Sequence, residues 1–96
     1  VKGGDTLKVG NMELHFIYTP GHTKGGMCIY VDGNLFSGDT LFRYSIGRTD
    51  FYGGDFDALM NSIKKRLFTL PDDTVVLPGH MGVSTIGDEK RGNPFV

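Results

Sequence analysis

Thr19-Pro20-Gly21-His22-Thr23 puts a histidine on a turn stiffened by proline and glycine, directly after a β-rich run. Ser37-Gly38-Asp39-Thr40 and Leu77-Pro78-Gly79-His80 repeat the arrangement with an aspartate and a second histidine. Histidine nitrogen and aspartate oxygen are the usual ligands of zinc and similar divalent ions. A short turn at a strand end can hold them still.

Outward from His22, the run Met12 to Tyr18 alternates Met12, Leu14, Phe16 and Tyr18 with Glu13, His15 and Ile17, giving one apolar and one mixed face. Gly10-Asn11 joins it to Thr6 to Val9 as an opening hairpin. His15, on the mixed face with no metal partner nearby, reads as a partly exposed strand residue. Met27 to Val31, the turn Asp32-Gly33-Asn34 and Leu35 to Ser37 form a second hairpin that ends at Asp39. From Thr40 to Gly54 no period is evident, and the aromatics Phe42, Tyr44, Phe51 and Tyr52 suit a loop that lines a pocket.

A helix is expected from about Asp55 to Leu70, with Phe56, Leu59, Met60, Ile63 and Leu67 as its apolar stripe. Asp55 and Asp57 match the positive end of the helix dipole. Lys64, Lys65 and Arg66 match the negative end, and Pro71 stops the helix. Thr74 to Leu77 is a short buried strand that delivers His80. The polar tail Thr85 to Arg91 suits one or two helical turns before Asn93-Pro94, and no chemistry is assigned to it. Strands, helix and strand in this order, without a repeat, define an α/β (α+β) chain.

Ninety-six residues make one domain or part of one, 1–96, and a chain this long buries only roughly 60 to 65% of its unfolded surface. A net charge of −1 with interspersed signs argues against nucleic acid and membrane as partners. No apolar run approaches the ~20 residues of a membrane span, and no signal peptide opens the chain, so a cytoplasmic location is expected. Val1 in place of methionine suggests a processed or truncated product. The single cysteine, Cys28, lies in an apolar run and reads as a buried strand residue.

If His22, Asp39 and His80 converge, two imidazoles and a carboxylate suit a divalent transition metal with positions left for water. Such a metal lowers the pKa of bound water to about 7, which permits hydrolysis with no side-chain nucleophile. The spacings of 17 and 41 residues match no short metal signature. By spacing alone, the three remain either ligands or unrelated turn residues.

TPGHT, LFSGDTLF, SIGRTDFYGGDFDAL, LPDDTVVLPGH and a final NPF, in this order from about Leu7 to the end, resemble the metallo-β-lactamase superfamily, most closely its glyoxalase II-like hydrolases. The resemblance implies the second ββα half of an αββα sandwich whose metal site, usually dinuclear zinc, lies at one sheet edge. By it, His22 is a ligand of the first metal, Asp39 the bridging carboxylate and His80 a ligand of the second. Iron or manganese are alternatives to zinc. The family's H-x-H-x-D-H motif is absent upstream of TPGHT, where only His15 occurs. The chain then carries part of the ligand set, and its apolar strand faces, covered only by its own helix, call for a missing N-terminal half or a second copy of itself.

The implied substrate is a small thioester such as an acylated glutathione, with Tyr44, Arg48 and Phe51 as candidate contacts. For Arg48 the competing reading is an ion pair with Asp50 or a nearby carboxylate. Gly47 to Phe51 also resembles a GRTDF segment of persulfide dioxygenases, which use one iron and oxygen. A non-catalytic interaction module is the reading from a different class.

Overall fold

Strand pairing decides which face of the main sheet the helix covers. A computed structural model describes residues 4–23, 25–43, 45–49, 54–79 and 82–96. Its strands are β1 (Thr6–Val9), β2 (Met12–Tyr18), β3 (Met27–Val31), β4 (Asn34–Gly38), β5 (Leu41–Phe42), β6 (Ser45–Ile46), β7 (Val75–Pro78) and β8 (Ser84–Thr85). The helices are α1 (Phe56–Ser62), continued by a π-helical turn Ile63–Leu67, and α2 (Ile86–Gly92). Six strands form a mixed sheet in the order β1-β2-β3-β4-β7-β8, and β5 pairs with β6. This is an α+β chain, as expected.

Both hairpins form where the turn residues place them, with Val9 opposite Met12 and Val31 opposite Asn34. The β3–β4 turn has Asp32 at φ 52° and Gly33 at φ 78°, the two left-handed residues that match the twist of a two-residue hairpin. β4 and β7 are parallel, with Leu35 opposite Val76 and Gly38 opposite Pro78. A parallel pair needs a long crossover, and residues between them supply it as the β5–β6 hairpin and α1.

Register puts Ile17 opposite Cys28, Tyr30 opposite Leu35 and Leu35 opposite Val76, so these residues share a face. That face carries the core: Cys28, Leu35 and Val76 pack with Leu41, Leu59, Ile63, Leu67 and Ile86, all fully buried. The other face carries Leu7, Val9, Met12, Tyr18 and Phe36, all exposed, with Met12 and Phe36 each at 47%. This chain's helix does not cover the Met12/Leu14/Phe16/Tyr18 stripe, and Met12 and Tyr18 stay exposed. The helix selects the face of Ile17, because crossover residues can pack on only one side of the sheet they join.

The expected single helix is interrupted. Asp55 caps α1, its carboxylate accepting from the Ala58 N–H at 3.0 Å, so Phe56 becomes the first helical residue and is exposed rather than part of the stripe. After Ser62 the ladder widens, and the Phe68 N–H donates to the Ile63 carbonyl at 2.9 Å, five residues back. The Thr40 to Gly54 segment, read as irregular, contains β5 and β6 with Leu41 and Phe42 buried. Two-residue strands are too short to show a period.

The tail forms α2, capped by Thr85, whose hydroxyl accepts from the Asp88 N–H at 3.2 Å. No helix among the described residues is long and apolar enough to cross a membrane. Replacing Leu59→Ala should cost about 2–5 kcal/mol by opening a cavity between α1 and the sheet. A fall in the urea midpoint with little change in slope is the expected reading.

Candidate metal centre

The His22 turn is clamped to the start of α1. Gly21 has φ 140°, and a Cβ there would collide with the Cα and Cβ of Leu59. Glycine is required both by the backbone angle and by that close approach. The Asp55 N–H donates to the Gly21 carbonyl at 2.7 Å, and the Ser62 hydroxyl donates to the Pro20 carbonyl at 2.8 Å. Pro20, with no N–H, and Gly21, with no side chain, leave the helix free to seat directly on the turn.

Asp39 follows β4 on a turn closed by the Thr40 N–H donating to the Ser37 carbonyl at 2.9 Å. The parallel pairing carries Gly79 alongside, its N–H donating to the Gly38 carbonyl at 2.9 Å. His22 and Asp39 come together at the same end of the sheet. His22 Nε2 lies 3.7 Å from Asp39 Oδ2, with the histidine less exposed than the aspartate. His22 Nδ1 is 2.9 Å from the Arg48 carbonyl oxygen. A carbonyl only accepts, so Nδ1 donates its proton to Arg48, and Nε2 is the nitrogen that faces Asp39. A histidine with one nitrogen held by a carbonyl is in the form that binds a metal through the other.

The exit of β6 runs past both His22 and Asp39. The Gly47 N–H donates to the Thr40 carbonyl at 3.1 Å, and a Cβ at 47 would strike the Asp39 carbonyl oxygen and press on the His22 Cβ at 3.1 Å. Arg48, considered for its guanidinium, thus serves the site through its main chain, while its side chain is exposed. Asp50, its expected ion-pair partner, lies outside the described residues, as do Tyr44, Phe51 and His80. Among the described residues no group of three metal-competent side chains comes together. The described pair, an imidazole nitrogen beside a carboxylate oxygen, fits part of the donor set of a divalent ion.

Behind the turns lies a buried hydroxyl and thiol cluster that the strand patterns did not reveal. Thr19 Oγ1 is 3.2 Å from Thr40 Oγ1 and 3.4 Å from Cys28 Sγ, and the thiol donates to the Ser37 carbonyl at 3.7 Å. Thr19 precedes the His22 turn and Thr40 follows Asp39, so the pair ties these two turns from below. The sequence signal was the threonine flanking each turn, in TPGH and GDT. Cys28 is buried, as expected. Burial pushes its thiol pKa up, against the opposing hydrogen bonds of Thr19 and Thr40. His15 stays on the surface, with Glu13 Oε1 3.2 Å from its Nε2 and Thr6 Oγ1 3.3 Å from its Nδ1.

A family model for the metallo-beta-lactamase superfamily matches residues 1–80, and the chain belongs to that superfamily. The hydroxyacylglutathione hydrolase GloC of Haemophilus influenzae is 42% identical over 95 residues, covering 97% of this chain and 45% of that protein. ETHE1 from Myxococcus xanthus superposes with a TM-score of 0.92 at 41% identity, over 98% of this chain and 44% of its own. TTHA1623 in a di-iron-bound form superposes with a TM-score of 0.87 at 40% identity, over 100% of this chain and 47% of its own. The chain spans a little under half the length of these relatives. It is a hydrolase-like member of a generally metal-binding superfamily.

Gly47→Ala should weaken divalent metal binding by about 10- to 100-fold, the range for residues supporting metal ligands. Isothermal titration against the parent checks this. A second expectation concerns pH. Because the folded thiol pKa lies above its unfolded value of 9.0, the unfolded chain loses the Cys28 proton first. This contribution to stability is whole below pH 9.0 and is lost as pH rises through the folded pKa. Urea midpoints across this range should fall more steeply for the parent than for Cys28→Ala.

Proposed function

We propose that His22 and Asp39, with His80, are ligands in the metal centre of a thioester hydrolase that acts on small acylated thiols of the hydroxyacylglutathione type. The observation that carries this is the held imidazole: the Arg48 carbonyl accepts from His22 Nδ1, and Nε2 faces Asp39 Oδ2 at 3.7 Å. The 42% identity to the Haemophilus influenzae hydrolase supports the substrate class. Zinc is the metal we favour. When bound, a divalent ion supplies Lewis acidity, which polarises an acyl carbonyl and lowers the pKa of water.

The chain's own part is to hold ligands and shape the substrate side. Gly21 and Asp55 fix the His22 turn, and the β4 end fixes Asp39. No side chain is assigned as nucleophile. We assign Tyr44, Arg48 and Phe51 to substrate contact. The open sheet face of Leu7, Val9, Met12, Tyr18 and Phe36 is where the further length present in the relatives packs, completing the sandwich and the ligand set.

A second reading, an iron enzyme, is favoured by the di-iron-bound form of TTHA1623. The resemblance of Gly47 to Phe51 to persulfide dioxygenases then gives oxygen uptake as its signature.

Native mass spectrometry of the complete native polypeptide bearing these residues, with zinc and iron supplied separately, is the test. Bound zinc and hydrolysis of an S-acylglutathione are expected. His22→Ala and Asp39→Ala should lose metal and reduce kcat/KM by about 100-fold or more, beyond the loss typical of supporting residues. Metal content and thioester hydrolysis untouched by both variants would refute the assignment. Iron with oxygen uptake would transfer it to the second reading. The same spectrum reports subunit count, and a site filled only in a dimer would give the open face to a second copy.

A further inference from the structure

The tail that sequence reasoning left without a role contains a fully buried carboxylate. Glu89, on the inner side of α2, has no solvent exposure. The Ser84 hydroxyl donates to its Oε2, and the Asn93 amide donates to its Oε1 at 2.9 Å. Asn93, itself buried, also donates through Nδ2 to the Ser45 carbonyl at 2.9 Å. Its Oδ1 accepts from the Phe95 N–H at 2.9 Å, so all three bonds agree on one orientation of the amide.

Burying a carboxylate costs several kcal/mol unless it is hydrogen-bonded, and an apolar side chain of similar volume often serves stability as well or better. The core does not need a charge here, because Ile86 already docks α2. What the carboxylate adds is direction. It orients the Asn93 amide, and the amide grips β6 at Ser45. Two and three residues on, the same strand exit delivers Gly47 against His22 and Asp39 and the Arg48 carbonyl to His22 Nδ1.

We propose that Glu89 and Asn93 are positioning residues for the metal centre, acting through the Ser45 to Arg48 segment on the proton and orientation of His22. The proposal rests on the reading of His22 as a metal ligand. Their hydrogen bonds run to Ser84, to the Ser45 carbonyl and to the Phe95 N–H. Both set the strand whose carbonyl selects the His22 tautomer, and they act as one unit, since Glu89 has its effect through the Asn93 amide.

The test uses the complete native polypeptide and two readouts. In metal-free protein, the His22 Nδ1–H resonance, protected by the Arg48 carbonyl, is followed by NMR. Zinc affinity is then measured by competition with a chromophoric chelator. Asn93→Ala and Glu89→Leu should each lose the protected resonance and weaken zinc by about tenfold, the lower end for supporting residues. The double variant should lose no more than either alone. Glu89→Gln, which keeps an acceptor for Asn93 and a partner for Ser84, should restore both readouts to near the parent.

Leu67→Val, in the core toward the far end of the helix from Gly21, serves as the control for simple loss of stability. A parent-like resonance and affinity in Asn93→Ala, or losses no larger than those of Leu67→Val, would overturn the proposal. If Glu89→Leu does not fold, Asn93→Ala with the Glu89→Gln rescue decides. A parent that binds no zinc would remove the proposed function, while the His22 resonance would still report whether the tether holds.

Discussion

Parallel pairing of β4 with β7 is the constraint on which the other features depend. Two parallel neighbours cannot be joined by a tight turn, so the chain between Gly38 and Val75 must leave the sheet, cross it and return. The crossing chain contains α1, which commits one sheet face to the Leu59/Ile63/Leu67 stripe and leaves the other uncovered. It also brings the ends of β4 and β7 side by side, with Gly79 bonded to Gly38 next to Asp39. The core, the open face and the neighbourhood of the metal-type residues thus have one origin.

The site is held by main-chain groups more than by side chains. His22 is oriented by a carbonyl, its turn is bonded through the carbonyls of Pro20 and Gly21, and Asp39 sits where Ser37 and Thr40 close a turn. Main-chain partners on paired strands lose little conformational entropy when a ligand binds, because folding has already ordered them. Beneath them, the Thr19, Thr40 and Cys28 cluster satisfies its own polar atoms in a buried place, where an unmet hydroxyl costs about 1–3 kcal/mol. The His22 and Asp39 turns are therefore joined from below by side chains and from above by the β6 exit.

The uncovered face has the opposite character. Leu7, Val9, Met12, Tyr18 and Phe36 form an apolar surface on a sheet whose other side is fully packed. Single exposed apolar residues are ordinary, but several on one face mark a surface made to be covered. Superfamily membership and relatives about twice as long agree with a sheet built to face a second layer.

Local rules alone determined much of this. Alternation and turn chemistry placed both hairpins, the three and four spacing placed α1, and glycine and proline after each β run marked the turns of His22 and Asp39. These depend on neighbours within a few residues, so the sequence holds them directly. The order of motifs carried the superfamily, as the family match bears out.

Tertiary structure decided what involves distant partners. Which sheet face α1 covers was undecided, because Ile17 and Phe16 are both apolar and only the crossover chooses between them. Gly47 and the Arg48 carbonyl were invisible as site elements, since a main-chain contact leaves no mark on residue type. Glu89 read as one charge in a polar tail. Its burial follows from α2 docking through Ile86, and its link to Ser45 spans 44 residues through Asn93, a distance over which no local pattern reports.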